Sequence, residues 1–267
     1  MPTQTQRFTT SHPIAVDIRN PRGAIEVLAT DTGETSVDIT SRFDDLDAEV
    51  RFDDGAAILS VEIPRRRFGK QPRVTVTVHV PSGSRLTADA ASASINVRGP
   101  MAGLELSSAS GSIQAEEAHG PVSSRTASGS VRLGEVHGTL EVRAVSGSIR
   151  IGEVDDVAAV RVVSGSIEVG TAGADLRATA VSGSIHVREV QRGTVDLTST
   201  SGGVTVGVRR GTLVWLDLSS VSGRTHSALA ADAPMAGGNE ETLTLTARSV
   251  SGSINVSPSS VAAPVTH

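Results

Sequence analysis

Apolar and polar residues alternate along short stretches from the start of the chain, as in Ile14-Ala15-Val16-Asp17-Ile18, Ala24-Ile25-Glu26-Val27 and Arg73-Val74-Thr75-Val76-Thr77-Val78-His79-Val80. A period of two predicts strands with one buried face. Asn20-Pro21-Arg22-Gly23, Asp31-Thr32-Gly33 and Asp53-Asp54-Gly55 punctuate these strands as turns. Further on the alternation acquires a longer period. SGSI at Ser110, SGSV at Ser128 and SGSI at Ser146, Ser164 and Ser182 follow one another every 18 residues, and Ser92-Ala93-Ser94-Ile95 is an imperfect earlier member. A fixed period of this length is the signature of a repeat architecture.

Counted from the first Ser of each unit, position 4 holds Ile113, Val131, Ile149, Ile167 and Ile185, and position 6 holds Ala115, Leu133, Ile151, Val169 and Val187. Position 9 is Ala or Val, and positions 13, 15 and 17 are again mostly aliphatic. Each unit is therefore two short strands and two corners, with turn residues such as Gly134 to Gly138 between the strands. Position 17 to the next position 4 is an odd step, so alternation must break at the Ser-Gly pair. Gly there supplies a bend that a side chain would oppose. An amphipathic helix does not fit apolar residues two apart, β-branched content and a Gly in every unit.

The expected fold is all-β, a single-stack β-solenoid resembling a β-helix, with an 18-residue two-strand coil. Residues 1–80 read as irregular early coils that cap the stack, and Arg22 to Val27 reads as a decayed copy of the SGSIxV unit. Residues 81–256 form the regular array, with a loop insertion at 227–241, and 257–267 is expected to be a disordered tail. The array loosens late, with SGG at Ser201, SGR at Ser222 and SGSI at Ser251 arriving at longer intervals. Trp215, the lone Trp, is expected to fill the core near that end.

Composition narrows the function. Aromatic residues make up 2% of the chain, so burial falls to Val, Ile, Leu and Ala, which suits thin stacked coils. A net charge of −5 and few aromatics argue against general nucleic-acid binding. With no Cys there is no disulfide framework or thiolate site. Neither a signal-peptide-like start nor a membrane-spanning stretch is evident, from which a cytoplasmic location is expected.

Stacking makes residues 18 apart neighbours, so Glu117, Glu135 and Glu153 form an acidic row able to meet a divalent cation, or simply a solvated corner. His119 and His137 become adjacent, with Asp155 in register, as a weak metal-site candidate beside the plainer reading of exposed turn histidines. Arg65, Arg66, Arg67, Lys70 and Arg73 form the basic cluster. It reads as a solvated hairpin loop or as a contact for phosphate or an acidic partner. Asn239 marks the 227–241 insertion as an interaction candidate. The recurring serines lack the single base and oxyanion hole that a nucleophile needs. No catalytic residue and no cofactor are expected.

The SGSI/SGSV units, the loop Ile63 to Gly69 before the strand Val74 to Leu86, the segment Val214 to Ser227 and the segment Glu241 to Val256 together resemble a bacterial family of unknown function known as candidate adhesins. The resemblance runs from about Ile14 to Val256 and is to members of an intracellular, actinobacterial type. It implies a Ser/Gly-rich β-solenoid with no catalytic residues to carry over. The expected function is a non-enzymatic scaffold or protein-interaction module, with protein partners and end-to-end or side-by-side self-association possible. A carbohydrate-binding or carbohydrate-active β-helix protein and a polymer-forming structural protein are the alternatives.

Overall fold

Stacking, rather than a single interior, is what lets such short strands bury their apolar faces. A computed structural model describes residues 3–41, 48–65, 71–229 and 241–260, and every regular element among them is a strand. The chain is an all-β solenoid, and it divides into two units, Met1–Gly138 and Thr139–His267. Among the described residues no helix is long and apolar enough to cross a membrane, which says nothing of strands.

The first unit contains β1 (Thr3–Thr9), β2 (Ala15–Thr30), β3 (Glu34–Ser41), β4 (Glu49–Asp53), β5 (Ile58–Glu62), β6 (Val74–Pro81), β7 (Arg85–Met101), β8 (Gly103–Ser108), β9 (Ile113–Ala118), β10 (Val122–Ser128) and β11 (Val131–Val136). β8 pairs with β10 and β9 with β11, both parallel, placing Leu104 beside Val122 and Ile113 beside Val131. The decayed copy is confirmed by register: Arg22, Ile25 and Val27 lie beside Ser92, Ile95 and Val97.

The stacking order departs from the chain order here. β2 pairs with β7 on one side and with β5 and β6 on the other, all parallel. The first coil in sequence is thus sandwiched, and the second lies outside it. Beyond that outer coil the chain switches direction: β3 pairs antiparallel with β6, β1 antiparallel with β3, and β4 antiparallel with β5. Asn20, 1% exposed, braces the β2 corner by donating to the carbonyls of Ala24 and Val74 at 3.0 and 2.8 Å.

The second unit contains β12 (Leu140–Ser146), β13 (Ile149–Val154), β14 (Ala158–Ser164), β15 (Ile167–Ala172), β16 (Leu176–Ser182), β17 (Ile185–Val190), β18 (Gly193–Ser201), β19 (Val204–Val208), β20 (Leu213–Ser220), β21 (Thr225–Ser227), β22 (Thr242–Ser251) and β23 (Ile254–Pro258). Even-numbered strands from β12 to β18 stack on one side, and odd-numbered strands from β13 to β19 on the other. Positions 4, 6, 9, 13, 15 and 17 of these coils are buried, as with Ile149, Ile151, Val154, Ala158, Val160 and Val162. The break in alternation falls at Val145 and Ser146, two successive exposed residues, one position before the expected Ser-Gly pair.

Gly165 shows why the corner takes Gly: its φ is +142°, and a Cβ would lie 2.2 Å from the carbonyl oxygen of Gly147 in the adjacent coil. The second requirement, close stacking, is not a bend at all. Hydroxyls at position 17 also tie adjacent corners, with Ser199 donating to the Gly183 carbonyl at 3.0 Å and Ser249 to that of Gly202 at 3.2 Å. The expected turn at Gly134 to Gly138 is shorter than its composition suggests, since Gly134 to Val136 belong to β11.

At the far end of this unit the chain order fails again. β22 pairs with both β18 and β20, and β23 with both β19 and β21. The last coil in sequence therefore slots beneath the one before it. Gly252 registers the insertion, since its Cβ would meet Gly202 O at 2.2 Å while that of Gly223 would meet Gly252 O at 2.2 Å. β23 runs on through Pro258, and the Ser259 hydroxyl, buried, donates to the carboxylate of Glu189 at 2.8 Å.

Candidate functional site

β20 ends the second unit, and its chemistry follows from its position. Leu213 and Val221 donate their N–H groups towards the β22 side, to Glu241 and Ser249 at 3.0 and 3.1 Å. Backbone groups alternate in direction along a strand, so those of Val214, Leu216 and Leu218 point away from β22. Among the described residues β20 pairs with β22 alone. The side chains of the same three residues continue the inner columns above Leu243, Leu245 and Ala247, and stay half-buried, with no further coil over them among the described residues.

That parity sends Trp215 outward. It is 75% exposed, which corrects the expectation of a core filler: the inner face of β20 belongs to residues 214, 216 and 218. An apolar ridge leads to the same end. Val145, Val163 and Val181 stack at the corner before each Ser-Gly, Thr200 follows, and Val250 and Val221 complete the row. These valines are between 45% and 81% exposed. At the usual strand spacing the ridge runs for about 24 Å. Val145, Val163, Val181, Val221 and Val250, each just before a Ser-Gly pair, are visible in the sequence, but period-two reasoning breaks at this corner and assigns them no face.

The first unit brings three of the metal-site candidates together. Glu117 and Glu135 stand in register on β9 and β11, and His119 and His137 follow at the same corner. His119 Nε2 lies 2.6 Å from Glu117 Oε1, and His137 Nε2 lies 4.0 Å from that same oxygen. The two imidazoles meet edge to face with centroids 5.1 Å apart. Glu153 and Asp155 belong to the second unit, where Glu153 pairs in register with Thr171.

The basic cluster is described only in part. Arg65 and Arg73, with Arg22, line a groove of the first unit together with Ser92, Ser94 and Ser110. Arg22 is already engaged, its guanidinium donating to the Gln71 carbonyl at 3.3 Å. Arg66, Arg67 and Lys70 lie outside the described residues, as does Asn239.

Charges on the outer faces pair between coils. Glu168 accepts from Arg188 at 2.9 Å and from Arg150 at 3.2 Å. The Arg188 hydrogen bond, aided by Arg150 against slight desolvation, holds its carboxyl below the usual value.

Comparison with known proteins places the chain. The profile of the Toastrack DUF4097 family matches residues 11–260, and the chain belongs to that family. None of the curated proteins matches it in sequence. Among solved structures it is similar to a candidate adhesin from Bacteroides fragilis, at 13% identity and a TM-score of 0.49, covering 96% of this chain and 97% of that one. It is also similar to a candidate adhesin from Parabacteroides merdae, at 10% identity and a TM-score of 0.43, covering 95% of each. A candidate lipid-binding protein from Parabacteroides distasonis matches at 13% identity and a TM-score of 0.35, covering 95% of this chain and 96% of that one.

Proposed function

We propose that this member of the Toastrack DUF4097 family is a non-enzymatic scaffold that binds a protein partner by accepting an extended segment along β20. The observation that carries the reading is the outward-facing backbone of β20 beside an exposed Trp215. An added strand would satisfy the outward N–H and C=O groups of Val214, Leu216 and Leu218 and cover their half-buried side chains. Trp215 supplies the kind of rigid aromatic anchor on which binding energy concentrates. The valine ridge extends the contact along the coil corners. The corner serines stand in register, Ser146 beside Ser164 and Ser164 beside Ser182, so none has surroundings that single it out as a nucleophile.

A pull-down from the native host with the intact chain, Trp215→Lys and a chain lacking 230–240 tests this. One protein recovered with the intact chain and reduced at least about tenfold by Trp215→Lys is expected, with the unfolding free energy within about 0.5 kcal/mol of the parent. Equal recovery with Trp215→Lys overturns the reading, and loss only in the deletion moves the site to the insertion. An exposed indole also suits a sugar face. Retention of an acidic polysaccharide that Trp215→Lys abolishes would replace the protein partner with a carbohydrate. Concentration-dependent mass of the purified chain, lost in Trp215→Lys, would identify the partner as a second copy.

A further inference from the structure

We infer that Glu117, His119 and His137 form a binding site for a late first-row divalent cation of the zinc class, at a corner of the first unit. Three donor atoms, one from each residue, lie within 4.8 Å of one another. Zinc bound at about 2.0–2.2 Å to imidazole and carboxylate in a tetrahedral arrangement requires ligand atoms about 3.3–3.5 Å apart. The gaps of 2.6 Å and 4.0 Å about Glu117 Oε1 bracket that value. All three side chains are at least partly exposed, so rotations at the surface are available to close the difference.

The backbone beneath is fixed. His119 N donates to the Met101 carbonyl at 2.8 Å, and His137 N donates to that of Ala118 at 2.9 Å. A Cβ on Gly120, the next residue after His119, would lie 1.9 Å from Ala102 O, so this corner stacks too tightly to admit a side chain there. The two histidines are thus held one coil apart, with the carboxylate of Glu117 between them and two residues before the first.

Donor chemistry selects the ion. Two imidazoles and one carboxylate suit zinc, copper or nickel, whereas calcium and magnesium require oxygen shells. Three protein ligands leave at least one coordination position for water or for a donor from another molecule. The site is independent of β20, so it stands or falls separately from the scaffold reading.

Zinc alone, titrated calorimetrically into the untagged, metal-stripped full chain, provides the test. One equivalent is expected, weakened at least about tenfold by Glu117→Gln and abolished by the pair His119→Ala and His137→Ala. His186→Ala, a histidine of the second unit, should bind as the parent does. Substituting cobalt should give the intense visible bands of a four-coordinate site in the parent and not in the double variant. Circular dichroism of each variant checks that the coils remain folded. Zinc binding that survives the double substitution to within twofold, or calcium binding as tightly as zinc, overturns the inference.

Discussion

The outermost strands of the two units differ in a way that their shared coil does not require. In the first unit the overshooting coil of β5 and β6 is covered by strands of opposite direction, and the last of these, β1, reads Thr-Gln-Thr-Gln-Arg-Phe-Thr. Its polar, exposed edge is what sheet edges carry when they must not recruit another chain. β4 closes the other side of that coil, and the rings of Phe8 and Phe52 meet with centroids 5.0 Å apart, joining β1 to β4. In the second unit the overshooting coil of β20 and β21 carries Leu-Val-Trp-Leu-Asp-Leu at its outer edge, with no antiparallel strand on it among the described residues. Both units thus stack out of chain order, with the first coil sandwiched in one and the last coil sandwiched in the other, and the outer coil is finished with a polar cap once and with an apolar edge once. Blocked and inviting edges are therefore properties of a few residues, not of the solenoid.

The largest effects should come from the two sandwiched coils. Gly23→Ala places a Cβ 2.0 Å from Val74 O at a φ of +128°, and Gly252→Ala places one 2.2 Å from Gly202 O. Each is expected to cost about 3 kcal/mol or more, read as a fall in the urea midpoint. If either is tolerated, the sandwiched stacking at that end is wrong. A smaller contrast separates the two aromatics. Phe52→Ala removes a half-buried ring pair and should cost about 1–2 kcal/mol, while Trp215→Lys should leave stability unchanged and act on binding alone. Equal destabilisation by both would erase the distinction between capped and open edges.

The smallest effect is electrostatic and concerns β15, a strand with neighbours on both sides within the second unit. The folded carboxyl of Glu168 titrates below its unfolded value. Its contribution is therefore complete above the unfolded pKa and is lost as pH falls through the lower folded one. Glu168→Gln should narrow the stability gap between neutral and acid pH slightly, in a denaturation series from pH 7 to pH 3. The ion pairs are exposed at the surface, so high salt should shrink the difference further.

Legibility in the sequence followed the strictness of the period. Ile149, Ile167 and Ile185 could be assigned to the interior because every coil repeats the same local demand, and Arg22 to Val27 could be matched to its later equivalents for the same reason. His119 beside His137 was likewise readable, as a consequence of one step of the repeat. That Glu117, two residues back on the chain, turns its carboxylate between them depends on side-chain directions that no spacing encodes. The outward direction of Trp215 is hidden in the sequence because Leu213 to Leu218 is apolar on both faces apart from Asp217, so composition does not say which residues look inward.

The sequence by itself determined the coil: its length, its two strands, its glycine corner and its buried columns, all set by steric and hydrophobic demands within one repeat and its neighbour. Only the tertiary structure decided the order in which coils stack at the ends. Near-identical coils offer near-identical surfaces, so β22 fits on β18 as well as a strict chain order would have placed β20 there. That choice left β20 outermost, and with it an apolar edge and an exposed Trp215 that no repeat pattern announces.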